Sequence, residues 1–138
     1  MISYQELQKK AKNRLKDANV LKDKVRYNGS AYLCGYSIEL ALKAIVCKDL
    51  ALSGIPSTIA EFNRIQKIKT HNLEDLLKIV PQKIREDIKV IYFSEWSMVI
   101  NNWEPEMRYN PNLKIGKRLA GNVIDSAEKM LKYFWKNL

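Results

Sequence analysis

An all-α fold, an antiparallel up-and-down bundle of four to five helices, is what the sequence predicts, and three observations predict it. Only 5 Gly and 4 Pro stand among 138 residues, too few for the turn chemistry of an all-β chain. Leu, Lys, Ala and Glu, all strong helix formers, are abundant. Apolar residues recur at three- and four-residue spacing along most of the chain. With 46% apolar or aromatic residues, the length suits one core, so residues 1–138 are expected to form a single domain.

The elements follow in order. Ser3 with Glu6 has capping-box spacing, and Leu7, Ala11, Arg14 or Leu15, Ala18 and Leu21 or Lys22 keep helical period, which predicts a first helix over about 4–25. Asn28-Gly29 predicts the turn into a second helix that runs to about Leu52, ahead of Ser53-Gly54-Ile55-Pro56. Thr58 with Glu61 predicts a short helix over about 59–66. Thr70 or Asn72 then caps a short third main helix with Leu73, Leu76, Leu77 and Val80 inside, which Pro81 separates from the next. From Gln82, the spacing of Ile84, Ile88, Ile91, Tyr92, Trp96 and Val99 predicts one continuous fourth helix as far as Asn101-Asn102-Trp103. Beyond the loop Glu104 to Asn112, Ile115, Leu119, Val123, Ala127, Leu131 and Phe134 predict a fifth. Its opposite face is Lys117, Asp125, Lys129, Lys132 and Lys136.

The second helix holds the residue most in need of an explanation. Glu39 lies in the run Ser30 to Lys48, which is otherwise almost wholly apolar. On a helix, Tyr32, Tyr36, Glu39 and Lys43 share one narrow sector, while Cys34, Ile38, Ala41 and Ile45 form an apolar stripe elsewhere. A buried carboxylate is costly unless paired, so Glu39 predicts a cationic partner. Lys43 lies one turn on; His71 and Arg108 stand at element ends, and Arg108 suits a bidentate clamp. If removing Glu39 strands a buried Arg, the expected cost is about 3–5 kcal/mol. Two readings stay open, a functional polar seam and a purely structural lock.

His71 is the only histidine. Its place at a helix start favours neutral imidazole, able to act as a base, although a lone His beside a cap residue is more often a hydrogen-bonded anchor for the helix start. With one His, no Cys-x-x-Cys and no Glu-x-x-His, a metal site is not expected, nor any cofactor. There is no Gly-rich phosphate loop and no nucleophile elbow. Trp96, Trp103 and Tyr109 gather around the end of the fourth helix, and Trp103 to Tyr109 mixes aromatics with Arg108 as nucleic-acid or protein docking loops do. Core packing also accounts for the tryptophans.

The balance of 24 Lys and Arg against 15 Asp and Glu gives a net charge of +9, which favours acidic partners such as RNA, DNA or an acidic protein without choosing among them. The charge is spread over several segments, so a solvated basic surface is the competing account. Lys43 and Glu39 interrupt the longest apolar run short of about 20 residues, which predicts a soluble, cytoplasmic protein with no membrane segment. Cys34 and Cys47, thirteen positions apart on one helix, are separated by roughly 20 Å, too far for a disulfide. Two buried thiols are expected.

Taken together, Tyr32 to Ala44, Thr70-His71-Asn72-Leu73 and Trp103 to Arg108-Tyr109, in that order, resemble the HEPN family of nucleotide-binding helical domains. The resemblance covers nearly the whole chain. It implies an up-and-down helical bundle, commonly a homodimer, and a place in a toxin–antitoxin or antiviral pair. Many members are metal-independent endoribonucleases that use an Arg and a His a few residues apart at a dimer cleft. Arg64 and His71 have six residues between them, yet they lie before the third main helix, whereas that motif falls late in the chain. The resemblance is closer to the branch with a Thr-His-Asn-Leu element and a terminal Arg-Tyr, often encoded beside a nucleotidyltransferase. It implies RNA or nucleotide as ligand, with His71, Arg108 and Arg64 as candidate catalytic residues and Tyr36, Glu39, Lys43, Asn72, Trp103 and Tyr109 around the seam. The alternative is a non-catalytic bundle that binds a nucleotidyltransferase and positions its substrate.

Overall fold

The computed structural model describes the backbone of residues 3–53 and 59–138, all helix, turn or loop. Helix α1, Tyr4–Asp23, begins on the expected capping box. The Ser3 hydroxyl accepts from the Glu6 amide at 3.1 Å, and the Glu6 carboxylate accepts from the Ser3 amide at 3.0 Å. These bonds to Ser3 hold the Glu6 carboxyl below its usual range.

The turn out of α1 corrects the sequence reading. Asn28-Gly29 does not form it; both lie in the first turn of α2, Tyr27–Ser53. The chain reverses at Val25, whose φ of 61° is left-handed. The Arg26 amide bonds the Leu21 carbonyl at 2.8 Å and the Val25 amide the Lys22 carbonyl at 3.0 Å, the pair of bonds of a Schellman motif. Glycine usually occupies that left-handed position, and a β-branched residue there is strained. Asn28 serves elsewhere: its side chain donates to the Leu113 carbonyl at 2.7 Å and accepts from the Ile115 amide at 2.8 Å. One amide thus clasps the segment leading into the last helix.

Small residues set the α1–α2 seam. Ala11, Ala18 and Ala31 are fully buried, and two buried serines of α2 satisfy themselves across the seam. Ser30 donates to the Ala18 carbonyl and Ser37 to the Ala11 carbonyl, each at 2.7 Å. Helix α2 is central, packed on α1 and on α7, Lys117–Lys136. Its segment Tyr27–Leu50 is long and apolar enough to cross a membrane by length and composition, contrary to the expectation that Glu39 and Lys43 interrupt it sufficiently, but most of it is buried within the bundle. Helix α7 buries Val123, Ala127, Met130, Leu131 and Phe134 and exposes Lys117, Asp125, Lys129, Lys132 and Lys136, the two faces read from its period.

Between them come α3, Ile59–Lys67, and α4, Leu73–Leu77. The Thr58 cap and the Gly54-Ile55-Pro56 stop lie outside the described residues. Asn72 is the α4 cap, accepting from the Asp75 amide at 3.1 Å, and Thr70 in turn accepts from the Asn72 amide at 3.1 Å. The single fourth helix expected over 82–101 is broken into α5, Gln82–Val90, and α6, Phe93–Ile100. No breaker residue stands at the bend. The Ile91 and Tyr92 amides both bond the Asp87 carbonyl, at 2.8 and 3.0 Å, while the Tyr92 ring packs on Tyr133 with centroids 4.7 Å apart. Tyr133 also donates to the Asp87 carboxylate at 2.6 Å, so α7 pins the bend from outside. Tertiary packing overrides the periodicity. The bundle is therefore α1, α2, the bent α5–α6 and α7, with α3 and α4 as short connectors.

Both cysteines are free. Cys34 is buried, and burial pushes its thiol up to about 12. Cys47 is only half-buried, against the expectation of two buried thiols.

Candidate functional site

Glu39 sits mid-way along α2 and is 2% exposed. Its carboxylate receives two donors. Lys43 Nζ, one helical turn on, lies 3.3 Å from Oε2, and His71 Nδ1 lies 3.2 Å from Oε2 and 3.3 Å from Oε1. The expected cationic neighbours Lys43 and His71 are thus in place. Facing a carboxylate, Nδ1 serves as the donor, which leaves Nε2 as the working nitrogen of a side chain that is 66% exposed. The Asn72 amide bonds the Thr70 hydroxyl at 3.1 Å, which fixes the backbone on either side of His71. Against the reading from helix position, His71 precedes the cap of a five-residue helix, and the group that orients its ring is Glu39.

Arg108 does not clamp Glu39. It lies in a single 3-10 turn, Pro105–Tyr109, and its Nη1 donates to the Tyr32 hydroxyl at 3.2 Å. That bond with Tyr32 raises its pKa further, so it is a permanent cation. The guanidinium also lies over the Tyr109 ring, 4.7 Å from its centroid. Tyr32 and Glu39 are seven residues apart on α2, hence about 10 Å along the axis. The side chain of Arg64, on α3, lies outside the described residues.

Trp103 joins the 3-10 turn to α2. Its indole donates to the Tyr32 carbonyl at 2.9 Å, and its ring lies 6.3 Å from that of Tyr32, which stacks in turn on Tyr36 at 6.5 Å. The ring can approach because Gly35 faces it: a Cβ there would fall inside the indole. A mid-helix Gly costs about 1 kcal/mol against Ala, which is the sequence signal that could have singled out Gly35. The expected grouping of Trp96, Trp103 and Tyr109 is dispersed: Trp96 is buried on α6 beside α4 and α5, Trp103 covers α2, and Tyr109 stands out in solvent.

Next to His71, a cleft of about 280 Å³ opens between the α4 cap and the 3-10 turn. Asn72, Glu74, Asn101, Trp103 and Glu104 line it. The amides and carboxylates suit the edge of a base better than a phosphate. Periodicity did not reveal Asn101, Glu74 and Glu104, because polar residues at helix ends carry no register of their own. Among the described residues no cluster of three or more His, Cys, Asp or Glu side chains is arranged to hold a metal ion.

One face of α2 thus presents, in order, Arg108 with Tyr109, the Tyr32–Tyr36 stack beside Trp103, and the Glu39–His71–Lys43 group. The HEPN domain family matches residues 4–138, a span that includes every one of these groups. The chain belongs to the HEPN family. No curated protein and no solved structure shows a significant match to it. HEPN domains are associated with ribonuclease, toxin–antitoxin and defence roles, and they commonly dimerise. The all-helical bundle agrees with the family.

Proposed function

We propose that this chain is the RNA- or nucleotide-associated component of a cytoplasmic toxin–antitoxin or antiviral pair and that it works as a homodimer. The observation behind the reading is the line along α2, with an arginine at one end, stacked aromatic rings in the middle and a histidine–lysine pair at the other. Single-stranded RNA is bound by that combination of stacking platforms and cations. The net charge of +9 favours the same ligand.

In the catalytic form of the proposal, His71 Nε2 removes the proton of a ribose 2′-hydroxyl. The 2′-oxygen then attacks the adjacent phosphorus, the bond to the 5′-oxygen breaks, and a 2′,3′-cyclic phosphate and a 5′-hydroxyl result once the leaving oxygen is protonated. Glu39 orients the imidazole through its bond to Nδ1, and an arginine, Arg108 or Arg64, offsets charge on the phosphate. No metal is required.

A second reading has an observation in its favour. Arg108 is bonded to Tyr32, about 10 Å up α2 from the Glu39–His71 pair, and so does not share the histidine's contacts. In that reading the bundle is non-catalytic and positions a substrate for a nucleotidyltransferase partner.

The test combines expression and purified protein. The chain expressed alone should slow growth, and purified dimer should retain a fluorescent single-stranded RNA. Loss of cleavage but not binding in His71→Ala supports the catalytic form; RNA left intact by wild-type protein selects the second reading. A chain that binds neither RNA nor nucleotide and leaves growth unaffected removes both.

A further inference from the structure

The bend between α5 and α6 opens a second concave surface, which meets the cleft beside His71 at Glu74 and Ile100. A groove of about 500 Å³ runs between α4 and the bent pair. Buried Leu77 and Trp96 lie at its floor, and Phe93, 60% exposed, stands at its side. Val90 and Ile91, also exposed, stand at the bend outside the groove lining. Lys78, Arg85 and Lys89 also line the groove, with Glu74 as the one carboxylate among the described lining residues. Arg85 is held in place: its Nη1 donates to the Lys78 carbonyl at 2.8 Å and ties α5 to α4.

We infer that this groove docks an acidic amphipathic helix of a partner protein. An exposed aromatic side chain beside a recessed aromatic floor makes an anchor site, and a basic rim selects an acidic occupant. The spacing suits a helix. Arg85 and Lys89 stand one turn apart on α5, about 6 Å along the axis, which is the separation of carboxylates four residues apart on a docked helix. An apolar stripe at i, i+3, i+4 and i+7 of that helix would meet Phe93 and the Trp96 floor. A second copy of this chain fits poorly, because a two-fold contact would set Lys78, Arg85 and Lys89 against themselves on a molecule of net charge +9. A flat membrane surface would not reach the recessed floor. The groove shares Glu74 with the cleft beside His71, but the residues that carry this inference, Arg85, Lys89, Phe93 and Trp96, take no part in the RNA reading.

The experiment uses the full chain and a helical peptide of about 18 residues with a Leu stripe at those positions and Glu on both flanks; a companion peptide has Lys for each Glu. The acidic peptide should bind about tenfold more tightly than its companion and shift the Trp96 indole resonance. Phe93→Ser, an exposed change, should weaken it about tenfold, and the Arg85→Glu/Lys89→Glu double variant should reverse the preference between peptides. Equal binding of both peptides, no binding, or binding that leaves Trp96 unshifted overturns the inference. So does Phe93-dependent binding to anionic phosphatidylglycerol vesicles in place of peptide, Phe93-dependent self-association, or RNA binding that these variants abolish.

Discussion

Replacing Glu39 by Ala tests what the buried carboxylate does. It leaves the Lys43 ammonium, 14% exposed, without its counter-ion. A hydrogen bond to a charged group contributes about 1.5–3 kcal/mol, and the lower end applies because a lysine can extend toward water. The lost side-chain methylene adds about 0.8 kcal/mol. His71, already 66% exposed, regains water at little cost. The total is about 2.5 kcal/mol, less than the 3–5 kcal/mol of a stranded buried Arg, because Arg108 is exposed and bonded to Tyr32. For a chain of 138 residues that corresponds to a fall in Tm of about 9 °C. Urea unfolding followed by circular dichroism measures it, and a double-mutant cycle with Lys43→Ala should return a coupling of about 1.5 kcal/mol. Glu39→Gln, which keeps the shape and an acceptor for His71, should cost about 1 kcal/mol. A loss below about 0.5 kcal/mol in Glu39→Ala, or no coupling to Lys43, would refute the pairing argument.

The remaining predictions concern the frame around the site. Val25→Asn, at a left-handed and 67% exposed position, should stabilise the chain by about 0.5–1 kcal/mol; an unchanged or lower urea midpoint contradicts the strain argument. Gly35→Ala should destabilise by about 1–3 kcal/mol and shift Trp103 fluorescence, since the indole must move away from α2; an unaltered spectrum means that the ring was not held there. At alkaline pH, burial raises the Cys34 thiol to about 12 and burial with the Asp87 bond raises the Tyr133 phenol. The folded chain then binds more protons than the unfolded chain, so stability is full below about pH 9 and falls as pH rises toward 12, with a slope near 1.4 kcal/mol per pH unit for Cys34. Cys34→Ala should flatten that slope, and a profile that stays steep assigns the effect to other groups.

Much of the frame was legible because local rules agreed with tertiary packing. The Ser3–Glu6 cap, the two faces of α7 and the Asn72 cap of α4 each rest on residues within four positions of one another. Glu39 was legible for a different reason: a carboxylate in an apolar helix demands donors, and only a few cations stood at suitable element ends. Where the reading failed, a distant partner decided. Asn28 looks like a turn residue but bonds the chain at Leu113 and Ile115, and the bend at Ile91–Tyr92 depends on Tyr133 from α7. Arg108 had the right fork for Glu39, yet Tyr32 lies nearer the 3-10 turn that holds it. Gly35 and Trp103 form one joint across 68 residues of sequence, a complementarity visible only once both side chains are placed.

On the proposed reading, RNA lies on the α2 face from Tyr32 to Lys43. Titrating the isotope-labelled chain with a short single-stranded RNA, while observing the ring resonances of Tyr32, Tyr36 and His71, tests it most directly. All three rings should shift together, Tyr32→Ala and Tyr36→Ala should each weaken binding by about 1–3 kcal/mol, and affinity should fall as salt rises. RNA binding that leaves these rings unshifted, or that both tyrosine variants retain in full, would contradict it.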